Sequence, residues 1–140
     1  MPKTTNEKIS ELVILVDDDH SNVRTVHYVL SELGFRVIHF SNTAAAMPIV
    51  AARHADLVIT EHEIHEIDGI ALVTHARTVW GDARPAFIGM TRSRALLSDP
   101  SLYDAVLEKP IRVTELMDAV DDAIECRAPY REGARLRRQA

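Results

Sequence analysis

Apolar residues alternate along the chain between short continuous runs and helical spacing. LVILV at 12–16 is a continuous run, which predicts a strand buried on both faces. It stops at three aspartates. From 21 to 33 the apolar positions recur at helical spacing, and Gly34 follows as a stop signal, so a helix is predicted there. A buried strand followed by a helix is therefore the first unit of the chain.

The same two patterns predict four more strands and four more helices. The strands are FRVIHF at 35–40, DLVIT at 56–60, AFIGM at 86–90 and a weak DAVL at 104–107. The helices cover about 42–54 with Pro48 inside, 69–79 after an Asp68 cap, a short 92–97, and 113–127. Five strand and helix pairs in strict alternation predict an α/β fold with a parallel sheet, helices on both faces and right-handed crossovers.

Length and composition favour one domain, and the cysteine content fits a reducing compartment. With 140 residues, 46% of them hydrophobic, it can bury one core. The sequence contains no run of about 18 apolar residues, the length needed to cross a bilayer. Residues 1–10 lack the apolar core of a signal peptide. The single cysteine, Cys126, excludes an internal disulfide and a cysteine-based zinc site. We expect a cytoplasmic protein that is not a membrane protein.

Charge divides the chain into an acidic body and a basic tail. Residues 127–140 carry five arginines and one glutamate, net +4, which leaves eleven basic and twenty acidic residues, net −9, in 1–126. The tail could contact nucleic acid, an acidic partner or the body. A flexible, solvated terminus is the interpretation we favour, and nucleic acid is not the partner we expect.

A polar side chain follows each of four predicted strands. Asp17 and Asp18 follow the first, Glu61 the third, Thr91 the fourth and Lys109 the fifth. In open parallel sheets the reactive groups gather beyond the carboxyl ends of the strands. Each of these residues alone has an ordinary structural explanation, but their joint occurrence predicts a site.

The sequence resembles the receiver domain of two-component response regulators from about residue 11 to residue 126. The resemblance rests on ILVDDD at 14–19, SELGF at 31–35, DLVIT leading to IDG at 67–69, MT at 90–91 and EKP at 108–110. It implies a flavodoxin-like (βα)5 doubly wound parallel sheet with strand order 2-1-3-4-5. It also implies a signalling protein rather than an enzyme.

The resemblance assigns a role to each of these side chains. In that family an acidic pair and a strand-three aspartate hold Mg²⁺, and the aspartate accepts a phosphoryl group from a histidine kinase. Asp17 and Asp18 match the acidic pair, Thr91 the switch hydroxyl and Lys109 the lysine that contacts the phosphoryl group. The phosphoacceptor position falls on Glu61. Weak Mg²⁺ binding by the acidic pair, Glu61 and the carbonyl of Glu63 is expected.

Three departures from the family pattern stand beside Glu61. Val106 occupies the position of the usual Tyr or Phe on strand five, and His65 replaces the usual proline. The interval from Thr91 to Lys109 is about four residues shorter than usual, close to one helical turn, so we expect a truncated fourth helix. The histidines and glutamates at 62–66 invite a transition-metal interpretation, but a solvated loop is favoured because no second cluster of ligands accompanies them.

The extra methylene of Glu61 moves its carboxylate about 1.5 Å further out, into the space of the phosphoryl group. Phosphoryl transfer needs in-line alignment, and errors of about 1 Å can cost about a hundredfold in rate. We therefore expect an atypical receiver in which Glu61 pairs with Lys109, or partly mimics a phosphate, and which contacts a histidine kinase, phosphotransfer protein or other signalling protein. Homodimerisation stays open.

Two alternatives remain. One is a conventional Mg²⁺-dependent phosphoacceptor receiver, which the intact pair, Thr91 and Lys109 favour. The other is a small Mg²⁺-dependent phosphatase with Asp18 as nucleophile, which would need a substrate cap and a general acid that 140 residues do not supply.

Overall fold

The molecule is built around one parallel β-sheet. The computed structural model describes residues 11–63 and 68–125. The strands are β1 (Leu12–Val16), β2 (Arg36–Phe40), β3 (Leu57–Glu61), β4 (Ala86–Thr91) and β5 (Ala105–Glu108). They lie in the order β2-β1-β3-β4-β5, and every neighbouring pair is parallel. The predicted doubly wound flavodoxin-like sheet is confirmed.

Within the described ranges, four α-helices connect or follow these strands. They are α1 (His20–Glu32), α2 (Thr43–Ala52), α3 (Gly69–Trp80) and α4, which covers residues 113–125. Side chains of Asp19, Asn42 and Asp68 accept hydrogen bonds from backbone N–H groups in the first turns of the first three helices. Pro48 is accommodated inside α2. The helix boundaries therefore follow the capping residues of the sequence.

The prediction of a short α-helix over 92–97 is wrong. Residues 92–104 are all described, and they form no α-helix but two 3₁₀ turns, Arg94–Leu96 and Pro100–Leu102. Ser93 and Asp99 each cap the turn that follows, and Pro100 opens the second turn. Two capped turns in so short a segment leave no length for a stable helix. We predicted a truncated helix on this side of the sheet, and residues 92–104 form no α-helix at all.

Each face of the sheet packs against its own layer. α1 and α4 cover one face, where Leu30 and Leu116 are fully buried. α2 and α3 cover the other, where Val50 and Leu72 are buried. Near β5 this second layer is completed by side chains from the irregular segment, above all Tyr103, which is only 4% exposed.

Some predictions fall on residues outside the described ranges. They concern His65, Glu66, Cys126 and the tail over 127–140. Within the described ranges, no helix has the length and apolar character needed to span a membrane.

Candidate functional site

The acidic pair lies at the carboxyl end of β1. Asp17 is fully buried, and Asp18 is exposed. One carboxylate oxygen of Asp17 accepts from the Asp19 N–H at 2.9 Å, and the other accepts from the Asn22 amide at 2.6 Å. Asp17 is therefore fixed by its own loop and by the first turn of α1.

Glu61 lies beside this pair at the end of β3. It is 7% exposed, and its Oε1 lies 3.1 Å from Lys109 Nζ. The same ammonium is 3.4 Å from Asp17 Oδ2. The predicted pairing of Lys109 with Glu61 is confirmed, and Asp17 is a second carboxylate within salt-bridge distance of the same ammonium. The backbone N–H of Lys109 donates to the Thr91 carbonyl at 2.8 Å, which fixes the start of its side chain.

Electrostatics at this cluster shift three pKa values. Burial, a hydrogen bond with Asp17 and the charge of Asp17 raise the pKa of Glu61 to about 8, against the opposing effect of Lys109. Burial alone would raise the pKa of Asp17, but its hydrogen bonds and the Lys109 charge lower it overall. Burial lowers the pKa of Lys109, and the two carboxylates more than reverse this. One lysine therefore compensates the cluster only in part, and Glu61 tends to keep a proton.

The cluster fits a hard divalent cation. Carboxylate oxygens of Asp17, Asp18 and Glu61 all lie within 4.8 Å of one another. Glu61 Oε1 is buried and has no hydrogen-bond partner among the described residues, although Lys109 Nζ lies 3.1 Å away, so this oxygen can still bind a cation. Oxygen donors and an excess of negative charge are what Mg²⁺ prefers.

Thr91 is fully buried, and its hydroxyl contacts a carboxylate of the protein itself. The hydroxyl donates to Glu63 Oε2, and the Ser93 carbonyl lies 2.9 Å from it. It accepts from the Ser93 N–H at 3.2 Å. Glu63 Oε1 accepts from the Arg92 N–H at 3.0 Å. The Glu63 carboxylate is thus engaged by Thr91 and Arg92, and it is not among the carboxylates that lie within 4.8 Å of one another at the acidic cluster.

A buried aromatic ring does lie near the switch position, although not at Val106. Tyr103 packs across β4 at Gly89, and its hydroxyl lies 2.8 Å from Nδ1 of His62, the residue after Glu61. A Cβ on Gly69 would meet the Tyr103 hydroxyl, and one on Gly89 would meet its ring. Val106 itself is half-buried against the same layer. Tyr103 was not predicted from the sequence, and the two glycines that make room for it, Gly69 and Gly89, were the available signal.

The chain is similar to known receiver domains. The family model of the response regulator receiver domain matches residues 13–121. The response regulator receiver protein CpdR of Brucella abortus is 30% identical over 111 residues, which covers 78% of this chain and 92% of CpdR. The transcriptional regulatory protein GlrR of Escherichia coli is 28% identical over 127 residues, 84% of this chain but 27% of GlrR. A signal receiver domain of an HD domain-containing protein from Pseudomonas fluorescens superposes with a TM-score of 0.73 at 23% identity, over 87% of this chain and 92% of that one.

Proposed function

Because the chain belongs to the family of response regulator receiver domains, we propose that it is an atypical receiver that signals by protein contact, without phosphorylation, in a two-component pathway. The body is residues 1–126, and the tail 127–140 is an appendage. Its expected partner is a histidine kinase, a phosphotransfer protein or another signalling protein of the cytoplasm. Receivers of this family are signalling domains rather than enzymes.

The observation that carries this proposal is the state of the Thr91 hydroxyl. In a conventional receiver the phosphoryl group draws this hydroxyl inward, and the changed surface follows. Here Glu63 already supplies an anionic acceptor for the hydroxyl, and the Ser93 backbone offers it further partners. A ligand shifts an equilibrium only by its differential affinity for two states. A hydroxyl that is already bonded to a carboxylate leaves a phosphoryl group little to gain.

Glu61 contributes in a second way. Its buried carboxyl group occupies the place of the acceptor and is paired with Lys109, the side chain that would contact phosphoryl oxygens. Together Glu61 and Glu63 put carboxyl groups near both groups that recognise phosphate, although each carries at most one charge where a phosphoryl group carries about −1.5 to −2. We assign Glu61 to a static or mimic role.

The surface for partners lies around residues 92–104, the segment between β4 and β5 that forms no α-helix. Large apolar side chains are exposed on the 3₁₀ turn after β4, at Leu96, and on the first turns of α4, at Val113 and Met117. Val113 and Met117 are one helical turn apart and face the same side. Exposed apolar residues of this kind suit a protein partner.

Mg²⁺ is the cofactor that the site would hold. Asp17, Asp18, Glu61 and the carbonyl of Glu63 would bind it weakly, and a bound Mg²⁺ would supply positive charge to phosphoryl oxygens. Asn22 and Lys109 fix the carboxylates for such an ion. The intact acidic cluster and Lys109 are also what favours the second candidate, a conventional Mg²⁺-dependent receiver with Glu61 as acceptor.

Acetyl phosphate with Mg²⁺, followed by intact-mass spectrometry, separates the two candidates. We expect no phosphate on the wild type and recovery of phosphorylation in Glu61→Asp, with Glu61→Ala as the negative control. A gain of one phosphate on the wild type that Glu61→Ala abolishes would establish the conventional receiver. A pull-down from native lysate with wild type and Glu61→Ala then identifies the partner.

A further inference from the structure

We propose that the basic tail, residues 127–140, docks in cis into an acidic groove formed by α4 and the amino ends of β1 and β2. The groove is open and measures about 810 Å³. Its apolar floor is formed by Leu33, Phe35 and Ile124, each partly buried against the core. Since the phosphoacceptor position is at the opposite, carboxyl end of the strands, this site is separate from the receiver chemistry.

Four carboxylates of α4 line one wall of the groove. Asp118, Asp121, Asp122 and Glu125 follow one another at intervals of three, one and three residues, so they form one stripe on the helix. Within the described ranges none of the four forms a salt bridge. Like charges three and four residues apart on a helix repel one another and destabilise it. A cationic partner that binds this stripe would reduce the repulsion.

The tail supplies that partner by charge and by position. It begins directly after the wall of the groove, because Glu125 lines the groove and Arg127 is two residues further on. Its five arginines and one glutamate give it a net charge of +4, against four carboxylates on the wall. Residues 1–10 also adjoin the groove through Glu11, but their two lysines and one glutamate give only +1. Charge therefore selects the tail.

Tethering makes a weak interaction sufficient. A short linker raises the effective concentration of a tethered segment to about the millimolar range. If the tail as a free peptide has a dissociation constant of about 1 mM, equal to this effective concentration, the tethered tail is bound about half of the time. Arginine suits this role because it forms bidentate pairs with carboxylates, and Tyr130 and Leu136 offer apolar side chains for the floor of the groove.

The test places a nitroxide spin label in the tail of the full chain. Cys126 is the single cysteine, so Cys126→Ser with Ala134→Cys gives one labelling site. We expect NMR signals of Leu33, Phe35 and Ile124 to broaden at low salt and to recover at about 0.5 M NaCl, where the Debye length is only a few Å. Replacing the five tail arginines with glutamine should abolish the broadening, and the matched replacement with lysine should retain most of it.

Three results would overturn docking in cis. The first is equal broadening in the arginine and glutamine versions of the tail. The second is the absence of broadening at the groove at any salt concentration. The third is broadening that appears only when ¹⁵N-labelled protein without the spin label is mixed with unlabelled protein that carries it, which would assign the groove to the tail of a second copy. As a second measurement, Asp118→Asn with Asp122→Asn should release the tail, whereas Asp118→Glu with Asp122→Glu should not.

Discussion

The Thr91 hydroxyl donates a hydrogen bond to the Glu63 carboxylate, across 28 residues of sequence. Thr91 is fully buried, so this bond lies where water competes little. It joins the end of β4 to the loop after β3, two residues from the phosphoacceptor position. Under the proposed function, this bond does for the Thr91 hydroxyl what a phosphoryl group does in a conventional receiver.

The first prediction concerns the energy of this bond. We expect Glu63→Gln and Thr91→Val each to lower the free energy of unfolding by roughly 1.5–3 kcal/mol, the usual range for hydrogen bonds to charged groups. Urea unfolding of both single variants and the double variant gives the coupling energy. Thr91→Ser keeps the hydroxyl and should cost much less. Additive effects of the two changes would contradict a direct bond.

The second prediction concerns the contact between Tyr103 and Gly89. A Cβ on residue 89 would lie 2.7 Å from ring atoms of Tyr103, so Gly89→Ala forces the ring to move. We expect a loss of about 1–3 kcal/mol in the free energy of unfolding. In a Tyr103→Ala background the same change should cost clearly less. Tyr103→Phe is the control: it keeps the ring and loses only the hydrogen bond to His62, about 1 kcal/mol. An equal cost of Gly89→Ala in both backgrounds would show that the ring is not the obstacle.

The sequence predicts the sheet and the acidic cluster well because both follow from local signals. Continuous apolar runs identify β1 and β3, and the carboxyl ends of parallel strands must meet at one edge. That edge brings Glu61, Asp17 and Lys109 together, as the ion pairs confirm. The resemblance to receivers adds the strand order, which periodicity alone does not supply.

The bonds of Glu63 and Tyr103 were not predictable in the same way. Each joins residues far apart in sequence, 28 positions for Thr91 and Glu63 and 41 for His62 and Tyr103. Neither Glu63 nor Tyr103 lies in a strand or α-helix whose periodicity would give its direction. The helix expected between β4 and β5 does not form either. Two capped 3₁₀ turns, the second of which begins at Pro100, take its place.

The third prediction is a pH dependence of stability that belongs to Glu61. Its pKa is raised to about 8 in the folded protein from an ordinary value of 4.5, so the folded state binds a proton that the unfolded state has released. The stabilisation that comes from this proton is complete below the pKa of Glu61 in the unfolded state, and it is lost as pH rises through 8. In EDTA, we expect the free energy of unfolding to fall by up to about 3–4 kcal/mol more in wild type than in Glu61→Gln between pH 5 and pH 8.

The control for this experiment is Glu115→Gln, which also removes one carboxylate, but from the exposed surface of α4. Because Glu61 is intact in this variant, the fall between pH 5 and pH 8 should persist. Asp17 and Lys109 should not obscure the result. The lowered pKa of Asp17 affects stability only as pH falls through acidic values, and the raised pKa of Lys109 only above its ordinary alkaline value. Parallel profiles of wild type and Glu61→Gln would refute the raised pKa.

The last prediction concerns the response of the surface to a phosphoryl mimic. Beryllofluoride with Mg²⁺ should change backbone NMR shifts of the wild type only near Asp17, Glu61 and Lys109, because the Thr91 hydroxyl is already held by Glu63 and Tyr103 is already packed inward against Gly89. Glu63→Gln weakens that hold, so the shifts in this variant should extend from Thr91 through Val106 to residues 111–120. Thr91→Val, which has no hydroxyl to recruit, is the matched control and should remain local even in the Glu63→Gln background. Changes in the wild type that spread through Val106 into α4 would mean that the surface still switches, and the chain would then act as an ordinary receiver.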